Sequence, residues 1–197
     1  WTGRQTLLEQ VEDALKGGTT CVQLREKELD EEHFLQEAIA MKNLCHQYGV
    51  PFIVNDNVEI AIKCGADGVH VGQSDMEAGA VREKTGPDMI IGVSAQTMEA
   101  ALAAQAAGAD YLGVGAVFPT STKLDAAEVS HNRLKEICEA VAIPVTAIGG
   151  ISEKNIMELA ESGVDGVALV SAIFSAENIE EECRKLRELS ERMVAHE

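Results

Sequence analysis

The sequence predicts an α/β fold: a compact (β/α)8 TIM barrel whose first strand is missing before Trp1. Three observations point there. Short apolar segments alternate with amphipathic helical patterns along the whole chain. The apolar segments read as continuous runs, which suits a parallel sheet covered on both faces. A unit also recurs, because Gly65-Ala-Asp-Gly-Val-His-Val-Gly72 is echoed by Gly108-Ala-Asp-Tyr-Leu-Gly-Val-Gly115 and by Gly163-Val-Asp-Gly-Val-Ala-Leu-Val170. In each copy the glycine can end a helix in a left-handed conformation, and the aspartate then leads into a strand.

The strands are expected at Thr20–Leu24, Pro51–Val54, Gly68–Val71, Ile90–Val93, Tyr111–Val114, Pro144–Ile148 and Gly166–Val170. Helices are expected near Gln5–Lys16, Glu31–Tyr48, Val58–Cys64, Glu77–Lys84, Met98–Ala107, Asn132–Val141, Glu153–Glu161 and Glu177–Val194. In the last of these, Ile179, Cys183, Leu186 and Met193 recur at helical spacing and form one buried stripe. The count gives seven strands with a helix before the first. One strand is therefore expected ahead of Trp1, and without it two strand edges stay open. An open doubly wound sheet is the rival architecture, weakened because no GxGxxG follows the first strand. At 197 residues, a single domain spanning 1–197 is expected.

Composition narrows the partners. Lys plus Arg number 16 against 33 Asp plus Glu, a net charge of −17. Such a surface repels phosphate backbones and anionic lipid, so neither nucleic acid nor membrane is expected as a partner. No apolar run approaches the length of a membrane span, and no basic-then-apolar signal opens the sequence. Aromatic residues make up only 4%, leaving a core of Ala, Val, Ile and Leu. The five cysteines form no CxxC, and the histidines add no metal-ligand spacing. Reduced structural thiols in a cytoplasmic protein are expected.

In a barrel of this type, chemistry sits at the C-terminal ends of the strands. After the first strand, period-two alternation puts Gln23, Arg25 and Lys27 on one side as an anion clamp, or as part of an ordinary charged loop beside Glu26. Asn55-Asp56-Asn57 follows the next strand, where Asp56 or Asn57 also fits a helix cap. Gln73-Ser74-Asp75 follows the third, where Ser74 with Glu77 fits a capping box. Asp56 and Asp75 at neighbouring strand ends suit a hard cation such as Mg²⁺, held by carboxylates and substrate phosphate. His70, inside a strand, reads as a structural histidine. Ser94 fits either a cap or a phosphate contact.

Thr120-Ser121-Thr122-Lys123 has the make-up of a phosphate loop, or of an ordinary Ser/Thr-rich surface turn. Gly149-Gly150 and Val170-Ser171 follow the last two strands, where many barrels bind phosphate on backbone N–H groups. Two anion sites result: a Gly150/Ser171 cradle, and an Arg25, Lys27 and Lys123 cluster with Asp56 and Asp75. Carboxylates beside an anionic ligand require an intervening cation, which suggests a metal-bound pyrophosphate. No Ser-His-Asp or Cys-His set is visible.

VQLREK (22–27), FIVND (52–56), GVHVGQSD (68–75), IGVS (91–94), GADYLGVGAVFPTSTKLDA (108–126), AIGGI (147–151) and GVALVSAI (166–173) together resemble the thiamine-phosphate synthase family, from about Val11 to Ala176. The resemblance implies a compact (β/α)8 barrel that opens on a short strand. It also implies coupling of 4-amino-5-hydroxymethyl-2-methylpyrimidine pyrophosphate to 4-methyl-5-(2-hydroxyethyl)thiazole phosphate, giving thiamine phosphate and pyrophosphate with Mg²⁺. Asp56 and Asp75 would hold the metal. Arg25, Lys27, Asn55, Ser94 and Lys123 would bind pyrophosphate, and Gln23 with Asn55 would orient the pyrimidine. Thr120, Thr122, Gly150, Val170 and Ser171 would hold the thiazole phosphate. The segment 128–133 departs from the family's Gly-containing pattern. The alternatives are a thiazole tautomerase-like paralogue and a non-catalytic phosphate-binding barrel. Self-association into a homo-oligomer stays open.

Overall fold

Seven parallel strands lie in chain order in one sheet of the structure, a computed structural model that describes residues 3–72, 77–121 and 127–195. They are β1 (Val22–Leu24), β2 (Phe52–Asn55), β3 (Gly68–Val71), β4 (Ile90–Ala95), β5 (Tyr111–Val114), β6 (Val145–Ile148) and β7 (Gly166–Ala168). Helices α1 (Leu7–Lys16), α2 (Glu31–Gln47), α3 (Val58–Cys64), α4 (Ala78–Thr85), α5 (Met98–Ala106), α6 (His131–Ala140), α7 (Ser171–Phe174) and α8 (Ile179–Val194) accompany them. The architecture is TIM-barrel-like. It is not the closed eight-stranded barrel, because β1 and β7 are the two ends of the sheet among the described residues.

The strands alternate, contrary to the continuous apolar reading. Residues paired in register on parallel strands share a face. One face carries Phe52, Val54, Val69, Val71, Ile91, Val93, Leu112, Val114, Val145 and Ala147, all buried. Burying each larger aliphatic side chain there is worth roughly 1.5–3 kcal/mol. The opposite face carries Gln23, Asn55, His70, Ser94, Tyr111 and Thr146, interspersed with Gly68, Gly92 and Gly113. Isoleucine and glycine among these polar positions hide the period in the sequence.

The recurring unit has a structural purpose. Gly65, Gly108 and Gly163 take positive φ angles of 68°, 94° and 83°, as the echo predicts. The aspartate two residues on then clasps the start of the preceding strand. Asp67 accepts from the Phe52 amide, Asp110 from Ile91 and Asp165 from Val145, each at 2.8 Å. Their own amides return bonds to the same residues' carbonyls at 2.9, 2.7 and 2.9 Å. Each copy thus sets the stagger between neighbouring strands, at the rim away from the strand C-termini.

Helix ends follow local chemistry. Thr6 and Glu9 form a capping box on α1. Asn57, rather than Asp56, caps α3 through the Ile60 amide. Glu77 is the N-cap of α4 and gives it no side-chain cap; Ser74, the other half of the expected capping box, lies outside the described residues. The helix expected at Glu153–Glu161 is only a 3₁₀ turn over Ile156–Leu159. The stripe on α8 is as expected, with Ile179, Cys183, Leu186 and Met193 buried. Part of it meets α1 so closely that a Cβ on Gly17 would lie 2.6 Å from that of Cys183. Among the described residues no disulfide forms, and no helix is long and apolar enough to cross a membrane.

Candidate active site

Because all seven strands are parallel, their C-terminal ends share one rim, and the expected site residues follow those ends. Strand β1 stops at Leu24, so the period-two argument holds for Gln23 but not for Arg25 and Lys27, which stand in the loop beyond. Lys27 nevertheless reaches the neighbouring strand end, where its ammonium pairs with the Asp56 carboxylate. Arg25 is exposed and makes no hydrogen bond or ion pair among the described residues. Glu26 does not compete for these cations. Its carboxylate accepts from the Glu28 and Leu29 amides at 2.7 and 3.2 Å. Those amides hold it below the usual carboxylate range, while burial raises Glu37, whose carboxyl meets Glu26 from α2.

Asn55 ends β2, in register with His70. Asp56 adopts a left-handed φ of 65° and donates its amide to the His70 carbonyl at 2.7 Å. This conformation is costly for a non-glycine residue and fixes where the carboxylate emerges.

His70 is 7% exposed and hydrogen-bonded, as a structural histidine should be. Its partners were not legible in the sequence. Nδ1 lies 2.9 Å from Tyr111 Oη and Nε2 lies 2.8 Å from Ser94 Oγ. A serine–histidine contact therefore exists where the sequence showed none. The signal lay in glycines: a Cβ at Gly92 would fall 2.1 Å from the Tyr111 ring, and one at Gly113 3.0 Å from His70.

On the far side of the rim, Thr120, Ser121, Gly150, Ser152, Ser171 and Ser175 line a cavity of about 400 Å³. Gly150 has φ 67°, and a Cβ there would sit 2.4 Å from the Pro119 carbonyl oxygen. Asn155, which the sequence reading placed inside a helix, instead donates to the Gly150 carbonyl at 2.9 Å. Its own oxygen accepts from Ser152 at 2.8 Å. Helix α7, also missed, starts at Ser171, and its first amides have no carbonyl within the helix to bond. Val170 is its N-cap and does not line the cavity. The 127–130 strap hooks onto Ala116 by two backbone bonds before Ser130 caps α6. Gln73, Asp75, Thr122 and Lys123 lie outside the described residues.

On one rim, this TIM-barrel-like parallel sheet carries a glycine- and serine-lined cavity and the Lys27–Asp56 ion pair, an arrangement suited to an enzyme with a phosphorylated small-molecule substrate. The family model described as thiamine monophosphate synthase matches residues 1–173, and the chain belongs to that family. The chain is 51% identical to thiamine-phosphate synthase of Ruminiclostridium cellulolyticum over 94% of its length and 88% of the relative's. It is similarly 49% identical to the Methanobrevibacter smithii enzyme of the same name, over 88% and 83%. The solved thiamine phosphate pyrophosphorylase of Pyrococcus furiosus superposes with a TM-score of 0.90 at 38% identity, covering 96% of this chain and 92% of that one.

Proposed function

We propose that this chain joins hydroxymethylpyrimidine pyrophosphate to hydroxyethylthiazole phosphate, releasing pyrophosphate and forming thiamine phosphate in the cytoplasm. What supports this reading is the presence on one rim of the Gly150/Ser171 cavity and the Lys27–Asp56 ion pair, with Arg25 and Ser94 read as completing the pyrophosphate side. Thr120, Gly150 and Ser171, with Val170 shaping the loop, hold the thiazole phosphate. Arg25, Lys27, Asn55 and Ser94 receive the pyrophosphate, joined by Lys123. Gln23 and Asn55 orient the pyrimidine, and Thr122 completes the phosphate loop.

In the reaction the methylene C–O bond breaks, and its electron pair leaves with pyrophosphate. The thiazole nitrogen then gives its lone pair to the methylene carbon. No protein nucleophile is needed, so catalysis is alignment of two substrates and stabilisation of the leaving charge.

Mg²⁺ suits this site. Asp56 offers a hard oxygen donor beside cations, and Mg²⁺ commonly takes only one or two carboxylates plus substrate phosphates. Among the described residues no three His, Cys, Asp or Glu converge into an all-protein cage. Asp56 and Asp75 would hold the ion, which when bound neutralises developing charge on the pyrophosphate.

An eighth parallel strand between β1 and β7 would close the sheet. Among the described residues both edges are open there, and Gln23 and Ile148 are exposed on the face that a barrel encloses.

Supplying each substrate alone separates this reading from tautomerisation or simple binding. Synthase chemistry leaves the thiazole phosphate unchanged until the pyrimidine pyrophosphate is added. Isomerisation of a thiazole carboxylate phosphate with no second substrate would overturn it.

A further inference from the structure

We propose that Tyr111 is a positioning residue for the coupling reaction, acting through His70 to turn the Ser94 hydroxyl proton toward the departing pyrophosphate. The proposal rests on the reading above that Ser94 meets that group.

Three strands build the relay. Tyr111 opens β5, His70 lies in β3, and Ser94 lies in β4 between them. The tyrosine ring can reach across β4 because Gly92 has no side chain to block it. Gly113, in register with Ser94, leaves room for the imidazole. The two rings approach at 5.5 Å between centroids, tilted by 43°.

Proton bookkeeping sets the direction. Burial raises the Tyr111 phenol well above its ordinary ionisation range, so it is a neutral O–H. Its side-chain partner is His70 Nδ1, and a buried O–H without an acceptor is costly. Tyr111 therefore donates, and Nδ1 is the bare nitrogen. The imidazole proton then sits on Nε2, which donates to Ser94 Oγ at 2.8 Å. With its oxygen accepting from His70, Ser94 directs its own proton elsewhere, as a donor suited to an anion.

The opposite tautomer would have Nε2 accept the serine proton and present oxygen lone pairs to the pyrophosphate. It would also exclude His70 from donating to Ser94. The same bookkeeping keeps His70 from acting as a base toward Ser94, in accord with a reaction that uses no serine nucleophile.

The experiment is a double-mutant cycle in steady-state coupling, with Tyr111→Phe, Ser94→Ala and the pair, each checked by thermal melting. Tyr111→Phe should lower kcat about tenfold in the wild-type background and less than about twofold when Ser94 is already alanine. KM for thiazole phosphate should not change. Imidazole ¹⁵N shifts of the wild-type protein should report the Nε2–H tautomer. An equal loss in both backgrounds, or an Nδ1–H tautomer, overturns the relay while leaving the synthase reading intact. Full kcat in Ser94→Ala would instead refute the placement of Ser94 against pyrophosphate, and the relay with it.

Discussion

The Lys27 ammonium and the Asp56 carboxylate form an ion pair between the loop after β1 and the end of β2. The pair joins opposite charges where a pyrophosphate and a metal ion are expected to compete for both partners. Asp56 is locked at positive φ, so the lysine, on its flexible stem, is the partner that moves.

Lys27→Ala should therefore cost coupling about 10²–10³-fold in rate, the usual scale for losing one stabilising donor. The melting temperature should hardly change, since an exposed ion pair contributes about 0–1 kcal/mol. Thiazole phosphate affinity, measured by calorimetry, should stay within about twofold, because its cavity is built by other loops. Equal loss of affinity would contradict the division into two anion regions.

Gly150→Ala should do the reverse. The substitution places a Cβ 2.4 Å from the Pro119 carbonyl and strains a φ of 67°. Thiazole phosphate binding should weaken at least about tenfold, while pyrimidine pyrophosphate still binds. Calorimetry with each ligand separately distinguishes the two effects.

Asp165→Ala tests the aspartate clasp. The Val145 amide loses a charged acceptor at 2.8 Å, a loss of about 1–3 kcal/mol. Thermal melting should fall by roughly 3–9 °C, with kcat per folded molecule unchanged because the clasp lies at the opposite rim. An unaltered melting temperature would remove the structural role assigned to the repeated unit.

Glu37 and Glu26 predict a pH-dependent stability. Burial, reinforced by the Glu26 charge, raises Glu37 above its ordinary 4.5. Its contribution is therefore complete below that value and is lost as pH rises through the folded one. Glu26 is lowered, chiefly by the Glu28 amide, so its contribution is present above 4.5 and lost on acidification. Glu37→Gln keeps a donor without a charge. Its melting-temperature advantage over wild type should grow from acid toward pH 8, and a gap independent of pH would contradict this coupling.

Much of the fold was legible because it rests on local signals. Gly65, Gly108 and Gly163 needed no tertiary information to mark helix ends, and the α8 stripe announced its own buried face. The sidedness of the strands was not legible, because Gly68, Gly92 and Gly113 occupy positions that contribute neither polarity nor bulk. His70–Ser94 joins two strands and Lys27–Asp56 joins the segments that follow two strands, and only the parallel register brings each pair together. Asn155 escaped because its helical pattern gives way to a side-chain bond to Gly150. The placement of Asp75 and Lys123 against this frame belongs to the proposal.

In the proposed reaction two bound anions react with each other, with the leaving charge absorbed by cations. Mass spectrometry of the chain incubated with both substrates, with Mg²⁺ or with excess chelator, tests it directly. Thiamine phosphate and pyrophosphate should form in equal amounts with Mg²⁺, and the chelator should abolish turnover. Undiminished turnover in chelator, or no thiamine phosphate when both substrates and Mg²⁺ are present, would contradict it.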